Sequence, residues 1–227
     1  MSAALELSKP VFDVGFFTSD IEPMLRFWEH EMGLSVEPAV AFNDGLTQYR
    51  HACGNSVIKI NTASQPLAGT ATGYRRLTLP WPGIEQVKEI EDPDGNQITL
   101  VPESSSQGPA IHIGVSDPER FDRFYTSAMG FLRLSEGVYQ CGHSQVTIAA
   151  DNDAAPAGHW VDHGLRYFTV HVMRVDESYE RVIDNGGTVG EAPYSIGEIA
   201  RISFVRDPDG NWIEIAQRAS LAGPWWD

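Results

Sequence analysis

The sequence predicts an α+β chain assembled from duplicated units of strand, helix and further strands, and two internal repeats carry that prediction. The run Arg206-Asp-Pro-Asp-Gly-Asn-Trp-Ile-Glu-Ile-Ala-Gln217 has a near copy 115 positions earlier, Glu91-Asp-Pro-Asp-Gly-Asn-Gln-Ile-Thr-Leu-Val-Pro102. A second repeat, offset by 97 positions, pairs residues 19–33 with residues 116–130. In the first repeat Asp-Pro-Asp-Gly is a tight-turn signal, because Pro sets φ, Asp bonds its own backbone and Gly accepts positive φ. The alternating residues after it read as a strand with one apolar face. In the second repeat each copy is an amphipathic helix with a Ser-Asp start and a Gly stop, preceded by a short apolar run at 11–17 and 110–115.

Taken in order, the units run A-B-A-B: helix-type at 10–62, turn-type at 73–102, then the same pair at 109–150 and 163–218. The polar stretch 103–109, rich in Ser, Gly and Pro, suits a linker between two domains, 8–103 and 109–219, with a tail at 220–227. The turn-type units are unequal. The later one has room for a helix at 175–185 stopped by Gly186-Gly187. The earlier one carries Pro80 and Pro82 where that helix would lie, and proline is excluded from a helix interior, so this unit is expected to lack its helix. The tail holds Trp225 and Trp226, which should dock on the body of the protein.

A chain of 227 residues that is 42% hydrophobic can bury two modest cores. Its formal charge of −15 argues against nucleic acid and anionic membranes as partners, since both would repel it. The start of the chain lacks the basic and apolar segments of an export signal, which makes the cytoplasm the expected compartment. Cys53 and Cys141 form no Cys-x-x-Cys pair and read as reduced, structural residues.

The tandem order, with Asp-Pro-Asp-Gly-Asn-x-Ile-Glu closing the last unit, resembles the vicinal oxygen chelate superfamily, which includes glyoxalase I, bleomycin-resistance proteins and extradiol dioxygenases. The resemblance covers nearly the whole chain and is more specific for fold than for reaction. It implies tandem βαβββ modules forming two cupped mixed β-sheet domains with flanking helices. It also leaves open a homodimer, because members exchange modules between chains. Metal-binding members place ligands on the inward face of a module's first strand and at the Glu after the turn, which here is Glu214. The first-strand positions fall on Asp13, Ala110 and Tyr167. His112 and His171 share the inward face by strand parity, so His112, His171 and Glu214 form a candidate set for a divalent metal such as Fe2+, Mn2+, Ni2+ or Zn2+. Against that set, the two histidines stand about 6.6 Å and about 13 Å along their strands from the expected positions, at ~3.3 Å per residue. The alternative is a cup lined by hydrogen-bonded histidines.

The first domain carries a different constellation. Asp13 takes the first-strand place, Lys59 falls where a module's own carboxylate ligand often lies, and Thr99 replaces the Glu. Arg50, His51 and Asn61 lie near Lys59. An ammonium can hold an enolate or oxyanion while Asp13 or His51 moves a proton; the competing reading is a structural ion pair. Arg75 is a candidate carboxylate binder, and Trp212, with Trp81 and Trp160, a candidate wall for an aromatic ligand. Tyr167 joins Asp13, His51 and Lys59 as a catalytic candidate. Two functional classes follow. One is an enzyme acting on an oxygenated, aromatic-type small molecule, by lyase or isomerase chemistry or by ring-cleaving dioxygenation. The other is a metal-free binding or resistance protein that sequesters an aromatic compound.

Overall fold

The computed structural model describes residues 4–42 and 45–226. The first module contains β1 (Asp13–Phe17), α1 (Ile21–Leu25, continued as wider π turns over Arg26–Glu31), β2 (Ser35–Ala41), β3 (Leu46–Cys53) and β4 (Ser56–Ala63). The second has β5 (Tyr74–Trp81), β6 (Lys88–Glu91) and β7 (Gln97–Pro102), with no helix between them, as the two prolines require. The third repeats the first: β8 (Ala110–Val115), α2 (Pro118–Arg123, continued as π turns over Phe124–Ala128), β9 (Leu132–Ser135), β10 (Val138–Cys141) and β11 (Ser144–Ala150). The fourth has β12 (Gly164–His171), α3 (Val175–Asp184), β13 (Thr188–Ile196), β14 (Ala200–Arg206) and β15 (Trp212–Arg218), followed by α4 (Ala219–Ala222).

The modules pair in an order that sequence adjacency does not suggest. One sheet of eight strands runs β13-β14-β15-β12-β1-β4-β3-β2, joining the fourth module to the first; one of seven runs β6-β7-β5-β8-β11-β10-β9, joining the second to the third. The expected division at 8–103 and 109–219 therefore separates two sequence halves, each giving one module to each sheet. The reason is the antiparallel seam: β1 pairs β12 with Asp13 opposite Thr169, and β5 pairs β8 with Leu77 opposite Ile111. Both cups are completed within one chain, so neither needs a module from a second copy.

Strand parity sorts the side chains. On β1, Val14 and Phe16 enter a core that also takes Ile58, Leu77, Ile98, Ile111, Val146 and Phe168, so the two sheets share one main core between their backs. Asp13, Gly15 and Phe17 face the other way, into the cup of the eight-stranded sheet. Aromatic residues there form a second cluster, Phe17, Trp160, Tyr167, Phe204 and Trp212.

The duplicated turns tie the sheets together. Asp207 Oδ1 accepts the Asp209 and Asn211 backbone N–H groups at 3.0 and 2.8 Å, and Asp92 does the same for Asp94 and Asn96 at 3.0 and 2.9 Å. Gly95 and Gly210 sit at φ 81° and 86°, where a Cβ is disfavoured. Each following Asn then reaches across: Asn96 Oδ1 accepts Leu165 N–H at 2.9 Å, and Asn211 Oδ1 accepts Gly73 N–H at 2.6 Å. Each repeat thus closes its own turn and fastens the other sheet. Of the tail tryptophans expected to dock, Trp225 does, its indole donating to Ser195 Oγ at 3.1 Å, whereas Trp226 stays exposed.

Candidate active site in the eight-stranded cup

The cup face of the eight-stranded sheet is written by parity: Asp13 and Gly15 on β1, Lys59 and Asn61 on β4, Gln48 and Arg50 on β3, Tyr167, Thr169 and His171 on β12, Glu214, Ala216 and Arg218 on β15. These strands enclose a cavity of about 610 Å³ whose floor is polar and whose wall is apolar, built from Phe42, Leu46, Trp160, Ile196, Ile202 and Phe204 among others.

At the floor, Lys59 Nζ lies 2.7 Å from Glu214 Oε2 and 2.7 Å from Thr169 Oγ1, and the Thr169 hydroxyl also donates to Glu214. Lys59 and Glu214 are 4% and 7% exposed. Burial pulls the Lys59 ammonium below the ordinary lysine value, opposed by Glu214 and Asp13. Burial pushes Glu214 up, but Lys59 and the hydrogen bonds more than offset it and hold the carboxyl below its ordinary value. These directions pull the two partners differently with respect to charge; we read the pair as ionised, because Lys59 donates at both of its 2.7 Å contacts.

Beside this pair stands a second. Asp13 Oδ2 meets His171 Nε2 at 2.7 Å, while its Oδ1 accepts from Lys9 at 2.5 Å and from Val57 N–H at 2.9 Å. Burial raises the Asp13 carboxyl, but His171, Lys59 and Lys9 together overcome it and leave it well below the usual carboxylate range. Burial lowers His171, only partly offset by Asp13, so the imidazole is neutral at neutral pH. Its Nδ1 is buried and has no partner among the described residues, and other atoms of the residue line the cavity. An Asp-oriented neutral imidazole with one free ring nitrogen can accept a proton.

A chain of amides sets Tyr167. Arg50 donates to Gln48 Oε1 at 3.0 Å, which turns Gln48 Nε2 toward Asn61 Oδ1 at 3.0 Å and Tyr167 Oη at 3.3 Å; Asn61 Nδ2 donates to Phe16 O at 2.8 Å and Tyr167 Oη at 3.2 Å. The phenol oxygen thus receives two N–H groups, leaving its proton available to a ligand. The ring lies across Gly15, where an added Cβ would stand 2.1 Å from Tyr167 Cζ.

Several sequence expectations need correction. His51 faces away from the cup and meets Glu29 Oε1 of the neighbouring helix at 3.0 Å, because it has the opposite parity to Arg50. His112 belongs to β8 in the other sheet, between Thr78 Oγ1 at 2.8 Å and Thr147 Oγ1 at 2.5 Å, so His112, His171 and Glu214 do not meet. Arg75 pairs with Asp151 at 2.7 Å at the surface of that sheet. Trp212 stands behind the wall, its indole donating to Gly158 O at 2.8 Å and its ring 5.8 Å from Phe204. Asp13, Lys59, Asn61, Arg50, Tyr167, His171 and Glu214 do converge. Thr169, Gln48 and Arg218 join them unannounced, although parity from Tyr167, Arg50 and Glu214 would have reached each.

The donor set does not suit the divalent metal that the resemblance implies. Lys59 stands at the position of a carboxylate ligand and places its charge on the Glu214 oxygen that a metal would need at ~2.0–2.2 Å. Asp13 is engaged by Lys9 and His171. No group of three His, Cys, Asp or Glu suited to a metal occurs among the described residues.

Comparison with known proteins agrees with the architecture. Residues 109–215 match the model of the Glyoxalase/Bleomycin resistance protein/Dioxygenase superfamily. Glyoxalase I from Zea mays superposes with a TM-score of 0.71 at 14% identity, over 91% of this chain and 92% of that one. A candidate dioxygenase from Bacillus subtilis subsp. subtilis str. 168 superposes with a TM-score of 0.69 at 12% identity, over 95% and 86%. No curated protein matches the chain. By sequence, residues 109–215 match the Glyoxalase/Bleomycin resistance protein/Dioxygenase superfamily, and by fold nearly the whole chain is similar to glyoxalase I.

Proposed function

We propose that this protein is a small-molecule enzyme of the lyase or isomerase type, in which the Lys59 ammonium supplies the positive charge that stabilises an enolate or oxyanion. The observation that carries this reading is the ammonium held at the floor of the cavity, 2.7 Å from both Glu214 and Thr169. In a low-dielectric site a fixed cation stabilises developing negative charge far more than it would in water. The Tyr167 hydroxyl adds a hydrogen-bond donor on the same face. His171, neutral and oriented by Asp13, accepts the proton from carbon beside the carbonyl, and general-base catalysis of this kind is worth ~10²–10⁴ in rate. The substrate is an oxygenated organic molecule with an apolar body that fits the wall of Trp160, Tyr167 and Phe204.

The test is deuterium incorporation from D2O, followed by NMR, into a panel of carbonyl compounds with an acidic C–H. Exchange catalysed by the wild type and reduced at least about 100-fold in both Lys59→Met and His171→Asn is the expected result. Exchange that survives both substitutions rejects the reading. The aromatic wall, with Trp160 stacked 4.7 Å from Phe204 and Tyr167 edge-on at 5.8 Å, favours a second reading in which the cup only sequesters an aromatic compound. Submicromolar binding of an aromatic probe with no exchange or turnover would select that one.

A further inference from the structure

Arg218 ends β15 on the same face as Glu214, four residues further along the strand, and lines the cavity. Among the described residues its side chain makes no hydrogen bond and no ion pair. The other arginines near the site are committed: Arg166 to Asp162 at 3.0 Å, Arg201 to Asp176 at 2.6 Å. Arg50, 6% exposed, is partly committed. Its Nε donates to Glu37 at 3.1 Å and its Nη1 to Gln48, while Nη2 lies 3.0 Å from the same Glu37 oxygen without hydrogen-bond alignment and has no partner of its own. Two arginines, of which Arg218 has an uncommitted side chain, therefore line one pocket in a chain whose formal charge is −15. Burial and the charge of Arg50 act against the Arg218 cation, offset in part by Asp13, Glu37 and Glu214, and an anion at its guanidinium would favour the charged form further.

We propose that the ligand of this cup is an aromatic or arylalkyl carboxylate whose carboxylate is bound by Arg218, with the positive charge of Arg50 beside it. The planar guanidinium fork matches a carboxylate in a way that an ammonium does not. The ring then lies against Trp160 and Phe204, and the carbon chain spans from the mouth to the floor. This deepens the reading above and rests on it for which cup is used, but it concerns recognition rather than the proton-transfer step.

The experiment is isothermal titration calorimetry of the full chain with 3-phenylpropanoate and with its primary amide, which has nearly the same shape and no charge. The carboxylate is expected to bind at least about tenfold more tightly than the amide, the equivalent of ~1.4 kcal/mol. Arg218→Gln should reduce carboxylate binding to the level of the amide and leave the amide unchanged, and Arg218→Lys should recover only part of the difference. Equal affinity for the two probes, no binding of either, or an Arg218→Gln variant that keeps the carboxylate preference would overturn the assignment. A fold check by circular dichroism accompanies each variant. Failure here leaves deuterium exchange through Lys59 and His171 intact, whereas failure of exchange with carboxylate selectivity preserved removes the catalytic reading and keeps the anchor.

Discussion

Lys59 is the side chain whose loss should be felt most at the scale of single residues. Removing one member of a buried ion pair leaves the other charge uncompensated, at a cost of about 3–5 kcal/mol. Lys59→Met alone should therefore lower stability by that order in urea denaturation, and Lys59→Met combined with Glu214→Leu should recover most of it. A double mutant as unstable as the single one would show that the two are not coupled. The Asp13–His171 pair makes a separate statement about pH. His171 has its pKa lowered by burial, so its base form is complete at neutral pH and is lost as pH falls through a value below the ordinary 6.5. The same depression means that its contribution to stability is present above the unfolded imidazole pKa and fades on acidification. Asp13 acts to raise His171, so in Asp13→Asn the acid limb of kcat/KM should shift to still lower pH, with kcat reduced because the imidazole is no longer oriented. A limb that moves to higher pH would contradict the assigned roles.

At the scale of elements, the cup depends on a close approach between strands. Tyr167 can cross β1 only because position 15 has no side chain. Gly15→Ala should expel the ring or spread β1 from β12, costing about 1–3 kcal/mol and weakening ligand binding in the cup; unchanged stability and affinity would mean that the ring repacks freely. The repeated Asp-Pro-Asp-Gly-Asn turns are joints as well as reversals. Asn211→Ala strands the buried Gly73 N–H and should lower stability by about 1–3 kcal/mol, against about 0.5 kcal/mol or less for the exposed Arg133→Ala, both read from denaturation midpoints.

The whole molecule is interlocked, because each half of the chain supplies one module to each sheet. Severed in the linker near residue 106, each first strand keeps one neighbour and loses the other: β1 keeps β4 but loses β12, and β5 keeps β7 but loses β8. The isolated halves should be unfolded or aggregated, while co-expressed halves should associate into a species with native circular dichroism. A half that is monomeric, folded and cooperative on its own would show the sheets to be less interdependent than their seams imply. The cup also predicts a metal content. Protein purified without added metal should retain far less than one equivalent of Fe, Mn, Ni or Zn by elemental analysis. A stoichiometric metal that disappears in Glu214→Ala would overturn the role given to Lys59.

Much of this was legible in the chain itself. The repeats announced four units, the prolines at 80 and 82 removed one helix, and the Asp-Pro-Asp-Gly turns placed the strands that bear Thr99 and Glu214. All of these are local signals, set by φ/ψ preferences and periodicity within a few residues. Strand parity also put Lys59, Asn61, Tyr167 and Glu214 on one kind of face. What no local signal contained was which module would face which. Asp13 meets His171 and Lys59 meets Glu214 only because the first and fourth modules share a seam, and that pairing joins residues separated by more than 150 positions. The same seam sends His112 to the opposite sheet. Residue types and spacing determined the modules and the inward faces; the choice of partners was decided by burying four apolar sheet backs in one core, a property of the assembled chain alone.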